Sequence, residues 1–370
     1  MSSAVRLLLI CTCLSMLVGV SQAIQPGEVT AVEADGSSVT LRTDSEVLVV
    51  VSFLRDDLFR ITAGLNDVES DEGSGVAPIV VLEPSPDVDV KVIRRATHHL
   101  ITTPNLALRI YPSPLRFELY RSNDTTPLWR ELKPLAIDSL ATVQTLDSDR
   151  FERFYGGGQQ NGAYEFNGEL MEISYSGGWE EGDRPSPAPF YMSSRGYGVL
   201  RNTWADGVYD FRSSDYLTAA HAEPRFDAYY MVADDVRGVL DLYTRLTGRA
   251  PLLPRWAFGY GDADCYNDGD NVDKPGTVPA GWSDGPTGTT PDVVASVARK
   301  YREHDMPGGW ILPNDGYGCG YTDLPEVVAG LRKLGFRTGL WTENGVEKIA
   351  WEVGTAGTRV QKLDVAWTGK

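Results

Sequence analysis

The residues with the clearest chemical potential are acidic and lie in the last third of the chain. Asp262 and Asp264 follow "WAFGY", Asp315 follows "GGWIL", Glu343 follows "FRTGLW", and Asp364 stands in the closing "VQKLDVAWTGK". Each ends or follows a short β-branched or apolar run, where a strand would deliver a side chain to a loop edge. Asp364 sits within such a run, and an unpaired charge there is costly, so something must compensate it. Carboxylates so placed can act as acid, base or nucleophile and can accept hydrogen bonds from hydroxyl groups. Most of the nine tryptophans follow Pro251, and Trp341 and Trp367 flank the acidic positions. Apolar faces of sugar rings stack on indoles while carboxylates bind hydroxyls, which points to an uncharged carbohydrate.

Other chemistries have less support. "DADCYNDGDNVD", from Asp262 to Asp273, has oxygen donors but not the helix-loop-helix calcium pattern: Tyr266 occupies a ligand position and no glycine follows it. His98, His99, His221 and His304 lack metal-ligand spacing. Gly156 to Gly162 lacks the G-x-G-x-x-G spacing of a phosphate cradle. Neither a cofactor nor a metal is expected.

The periodicity supplies the elements that must hold these residues. From Glu28 to about Tyr230, runs such as "SSVTLRTDSEVLVVVSF", "LFRITAG", "APIVVLE", "LALRIY" and "LRFELY" alternate or come in short apolar stretches between turn residues. They predict antiparallel strands in a sandwich. "FYGGGQQNG" and "SYSGGWEEGDRPSPAPF" read as loops. After Pro251 the period changes. Thr290-Pro291 opens a helix with the apolar stripe Val293, Val294, Val297, Ala298 and Tyr301. Asp323 and Glu326 form a capping box for a helix with the face Leu324, Val327, Val328, Leu331 and Leu334, closed by Gly335. A short helix follows from about Val346 to Val353. With strands starting at Trp256, Trp310, Arg337 and Val360 the order is βαβαβαβ, either half of a (β/α)8 barrel or an open doubly wound sheet. The missing dinucleotide fingerprint favours the barrel.

Met1 to Ala23 reads as a secretory signal: Arg6, an apolar Leu7 to Val20, and the small-x-small Ser21-Gln22-Ala23. The expected organisation is a signal over 1–23, a sandwich over 24–251 and four barrel strands over 252–370. With no later apolar run long enough to span a bilayer, the mature protein is expected to be extracellular and off the membrane. The balance of 51 Asp plus Glu against 34 Lys plus Arg, a formal net charge of −17, disfavours nucleic acid. Cys11 and Cys13 leave with the signal; Cys265 and Cys319 are then a disulfide or two free thiols. Asn123-Asp124-Thr125 is a glycosylation sequon.

"ERFYGGGQQNG", "PFYMSSRGYGVLRNT", "YYMVADDVRGVLDLYTRLTGRAPLLPRWAFGYG" and "GWILPNDGYG" occur in the order seen in glycoside hydrolase family 31, which the chain resembles from about Val29 to its last residue. The resemblance implies a galactose-mutarotase-like sandwich and a catalytic (β/α)8 barrel, no cofactor, and an α-linked oligosaccharide or polysaccharide as substrate. It implies that Asp364 is the nucleophile of a retaining mechanism and that Asp315 binds sugar hydroxyls, with Trp341 and Glu343 at the edge of the same pocket; Asp262, from its strand-end position, and Trp367, beside the acidic strand, are further candidate sugar contacts. "LDVAW" and "PNDGYGCGY" are more similar to the branch of dextranases and isomaltosyl or glucosyl transferases. A retaining mechanism also needs a second carboxyl roughly 5 Å from the nucleophile. The family places it after a later strand, so the chain is expected to be an N-terminal portion without its general acid/base. The alternative is a noncatalytic carbohydrate-binding protein.

Overall fold

The computed structural model describes residues 24–45, 47–65, 78–85, 88–178, 180–263, 297–313, 324–342 and 346–363. The chain divides into two compact units between Arg249 and Ala250.

The first unit is built from antiparallel sheets. An eight-stranded sheet runs in the order Val29–Asp35, Ser38–Thr43, Val47–Arg55, Leu58–Leu65, Phe226–Val232, Tyr197–Arg201, Ser186–Ser193, Phe154–Gln159. A five-stranded sheet runs Ala136–Ile137, Thr142–Asp147, Tyr216–His221, Gly207–Asp210, Leu170–Ile173. Another runs from Lys91–Arg94 through His99–Thr102, Leu106–Pro112 and Leu115–Arg121 to Trp129–Arg130. Strand alternation explains the core. Val47, Val49, Val51 and Phe53 are buried and alternate with half-buried neighbours, as a period of two requires of a strand with one face on the core. Phe59 stacks on Tyr230 with centroids 5.0 Å apart, and Trp129 lies 5.2 Å from the same ring.

The other face of the eight-stranded sheet is covered by the helix Val236–Thr247, which buries Val239, Leu242 and Leu246 against Leu58, Phe190, Leu200 and Met231. Asp235 caps this helix by accepting from the Gly238 amide. From Pro78 on, the expected strand "APIVVLE" is instead irregular backbone: the Val81 and Leu82 amides both donate to the Leu246 carbonyl at the helix end, while Ile79, Val80 and Leu82 pack on the same cluster. Its apolar residues serve a helix terminus, not a ladder.

The expected glycine loop is also corrected. Phe154–Gln159 is a strand paired with Ser186–Ser193, and the register shifts between Gly156 and Gly158. A Cβ on Gly158, whose φ is +73°, would stand 2.3 Å from the Ser186 carbonyl oxygen. Glycine is required there because two backbones meet across a bulge.

In the second unit the strands Gly261–Ala263, Trp310–Leu312, Arg337–Thr342 and Val360–Leu363 are parallel and adjacent in sequence order. The first strand begins at Gly261 rather than at Trp256, because Arg255–Phe258 forms a 3-10 turn. The Trp256 carbonyl lies where a Cβ on Gly309 would approach to 2.2 Å, which accounts for glycine before the second strand. The helix Leu324–Lys333 buries Leu324, Val327 and Leu331. It ends at Gly335, φ +83°, with the Phe336 amide donating to the Leu331 carbonyl. Val346–Trp351 is helical and continues into a π turn over Glu352–Ala356. Of the expected Thr290 helix, Val297 and Ala298 are buried and Arg299–Glu303 is helical; its start, like Asp323 of the capping box, lies outside the described residues. No helix among the described residues is long and apolar enough to cross a membrane.

Candidate functional site

Four adjacent parallel strands point the same way, so their carboxyl ends, at Ala263, Leu312, Thr342 and Leu363, form one edge of the sheet. Along the sequence Glu343 and Asp364 directly follow two of these ends, and Asp315 follows Pro313 by two positions. Asp315, Glu343, Asp364 and Trp367 themselves lie outside the described residues, as do Cys265 and Cys319. Trp341 is on the third strand, in register with Lys362 of the fourth.

The two sheet faces differ. Ile311 joins Ala298, Val327, Leu331 and Phe336, and Leu340 joins Leu324 and Ala356, so this row faces the helices. On the opposite row a Cβ at Gly339 would come 2.3 Å from Leu312 Cδ1 and 3.0 Å from Val360 Cβ. That face is already filled, and glycine is what lets the side chains of neighbouring strands meet across it.

Asp262 pairs with Ile311 and therefore belongs to the helix-facing row. Its Oδ2 accepts from the Tyr301 hydroxyl at 2.7 Å, and its Oδ1 is buried without a hydrogen-bond partner. Burial and the hydrogen bond to this carboxylate raise the Tyr301 pKa. Asp262 thus ties the first strand to the helix Arg299–Glu303. Tyr301 was legible only as an apolar stripe residue; its hydroxyl is the feature that matters.

Arg302, one residue on, stacks over Phe336 at 3.8 Å and donates to the carbonyls of Leu334 at 2.7 Å, Met306 at 3.0 Å and Gly308 at 3.2 Å. One guanidinium thereby fixes the turns that lead into the second and third strands, and with them the heights at which those strands end.

In the first unit Asn123 is exposed, in the turn after Leu115–Arg121. Glu131 is buried, with Oε2 accepting from the Phe117 amide at 3.0 Å and Oε1 from Gln144 Nε2 at 2.8 Å, and burial pushes its pKa up to about 7. His221 is buried as a neutral ring, held down to about 3 by burial and by Arg201; its Nδ1 donates to the Ala205 carbonyl and its Nε2 accepts from Tyr209. Among the described residues no group of three or more His, Cys, Asp and Glu side chains is placed to hold a metal.

The chain thus joins antiparallel sheets to a parallel βα unit whose strand ends are followed in sequence by acidic residues. Residues 48–210 match the glycosyl hydrolase 31 N-terminal galactose mutarotase-like domain. The chain is 27% identical over 225 residues to an alpha-xylosidase of Saccharolobus solfataricus, covering 55% of this chain and 28% of that protein. It is 24% identical over 322 residues to alpha-glucosidase 2 of Bacillus thermoamyloliquefaciens, covering 81% and 38%. The fold superposes on a Flavobacterium johnsoniae family 31 dextranase complexed with glucose, with TM-score 0.69 and 18% identity over 86% of this chain and 39% of that one. Over residues 48–210 the chain carries a family 31 N-terminal domain, and it spans less than two-fifths of the length of these relatives.

Proposed function

We propose that this chain is the nucleophile-bearing portion of a secreted, retaining α-glycoside hydrolase or α-transglucosylase acting on α-linked glucans or oligosaccharides. The observation that carries the reading is the parallel sheet whose strand ends are followed in sequence by Asp315, Glu343 and Asp364, set behind a family 31 mutarotase-like domain. In this reading the parallel sheet is the first half of a (β/α)8 barrel, which carries its active site at the carboxyl ends of its strands. Asp364 attacks the anomeric carbon, the leaving oxygen departs, and a glycosyl ester forms on the Asp364 carboxylate. Asp315 and Glu343 accept hydroxyl hydrogen bonds, and Trp341 and Trp367 offer ring faces to the sugar. Water or another sugar then takes the glycosyl group, with a second carboxyl acting first as acid and then as base. Secretion rests on the Met1 to Ala23 signal, and the similarity to a dextranase fold makes α-1,6-linked glucans the first substrates to try.

The test isolates the nucleophile from the acid. A 5-fluoro-α-glucosyl fluoride carries a leaving group that departs without protonation, so the folded chain should form the ester with it while leaving isomaltose uncleaved. Peptide mapping should place the label on Asp364, and Asp364→Asn should remain unlabelled. Saturable sugar binding without any label sinks the nucleophile assignment in favour of a noncatalytic carbohydrate-binding protein.

A further inference from the structure

The first unit carries a cleft of about 860 Å³, and on its wall stands Trp204, 72% exposed. What sets Trp204 apart from other exposed aromatics such as Tyr164 and Phe151 is that it lines this cleft. The loop that presents it is braced: the Ala205 amide donates to Thr203 Oγ1 at 2.9 Å, the Ala205 carbonyl accepts from His221, and the Ala222 amide donates to the Asp206 carbonyl.

Beside the indole lies a fixed set of polar groups. Asp227 is fully buried, and its carboxylate is gripped by Arg60 through bonds of 2.7 and 2.6 Å, by Asn202 at 2.8 Å and by Arg225 at 3.3 Å. Arg201, also buried, reaches Glu223 at 3.4 Å. Arg60, Arg225, Asn202, Glu223 and Glu83 line the cleft. Of the charged side chains that line the cleft two are guanidiniums, of Arg60 and Arg225, and two are carboxylates, of Glu83 and Glu223; behind them Arg60 and Arg225 pair with Asp227 and Arg201 pairs with Glu223. The set is charge-balanced, so it offers donors and acceptors without attracting an ion of either sign, and it is held in place before any ligand arrives.

We propose that this cleft is a second carbohydrate site, carried by the first unit, in which a neutral pyranose lays its apolar face on Trp204 and its hydroxyls against Glu223, Asn202 and the guanidiniums of Arg60 and Arg225. It depends on the proposed function only for the choice of sugar as ligand. Its role is to hold a glucan chain on the sandwich independently of the reacting bond.

Isothermal titration of the folded chain with isomaltotriose tests it, because Trp204 is exposed and Trp204→Ala should leave the melting curve unchanged. The expected result is saturable binding that weakens at least tenfold in Trp204→Ala, is retained in Asp364→Asn, and is unaffected by inorganic phosphate as competitor. Binding that survives Trp204→Ala unchanged and disappears in Asp364→Asn overturns the second site while leaving the strand-end reading intact. Displacement by phosphate overturns the neutral-ligand assignment. No saturable binding in the wild-type chain overturns the site, and the fluoride labelling of Asp364 then judges the proposed function separately.

Discussion

Glu131 shows how a single buried carboxyl makes a fold answer to pH. It is 3% exposed, its two oxygens take the Phe117 amide and the Gln144 side chain, and Gln144 in turn accepts from Tyr230 at 2.9 Å. The one guanidinium that acts on it is that of Arg116, and burial prevails, lifting the pKa from 4.5 to about 7. Between those two values the folded chain holds a proton that the unfolded chain has released. Stability from this group is therefore full below about pH 4.5 and lost as pH rises through about 7, by up to about 3 kcal/mol at 1.36 kcal/mol per pKa unit. Glu152 and Glu223 are raised in the same direction by burial, so the comparison must be a difference. Glu131→Gln removes the titrating group and should flatten the fall in urea midpoint between pH 5 and 7.5 relative to the natural chain. Identical pH profiles for the two proteins would show that Glu131 remains ionised in the fold.

At the scale of elements, the glycines of the Phe154–Gln159 strand make a second prediction. Gly158→Ala places a Cβ against the Ser186 carbonyl and forces a side chain into φ +73°, so the chain should lose more than about 2 kcal/mol of stability, read as a lower urea midpoint. An unchanged midpoint would mean that the bulge gives way freely. This strand also marks where sequence reading stopped. Alternation in "VLVVVSFLR" shows which face is buried, since each side chain answers to one face, and the Gly335 helix end follows from a local backbone rule. Consecutive glycines carry no facing pattern at all, so a bulged strand and a loop are the same text. "APIVVLE" misleads for the opposite reason: its apolar residues are spent on the end of a helix more than 150 residues away, a partner that no local window contains. That helix, Val236–Thr247, is itself legible from Asp235 as a cap and from the spacing of Val239, Leu242 and Leu246. After Pro251 the strands starting at Trp310, Arg337 and Val360 follow from their apolar runs, whereas Trp256 and its neighbours form a turn and the first strand starts at Gly261. Asp262 shows the remaining gap for the candidate site: sequence position puts a carboxylate at a strand end, but only the row it shares with Ile311 reveals that it answers to Tyr301.

The whole molecule is two units with separate cores. The clusters around Val51 and Tyr230 and around Val239 and Met231 belong to the first, and those around Ile311 and Phe336 and around Leu340 belong to the second. A domain with its own core can lose stability on its own account. Arg302 is the natural probe, because it donates to the carbonyls of Leu334, Met306 and Gly308 and stacks on Phe336, all within residues 300–336. Arg302→Ala leaves those carbonyls without their charged donor and strips the ring of its cover, at a cost of roughly 2–3 kcal/mol. Lysine has no planar fork and cannot serve all three carbonyls, so Arg302→Lys should recover only a minor part of the loss. Hydrogen exchange followed by peptide mass spectrometry locates the effect. Protection should fall in the peptides covering Trp310–Leu312, Leu324–Lys333 and Arg337–Thr342, while the strands Val47–Arg55 and Phe226–Val232 keep theirs. A uniform loss across both sets would mean that the chain unfolds as one cooperative body. In that case substitutions in the sandwich, Glu131→Gln among them, would set the stability of the sheet that leads to Asp364.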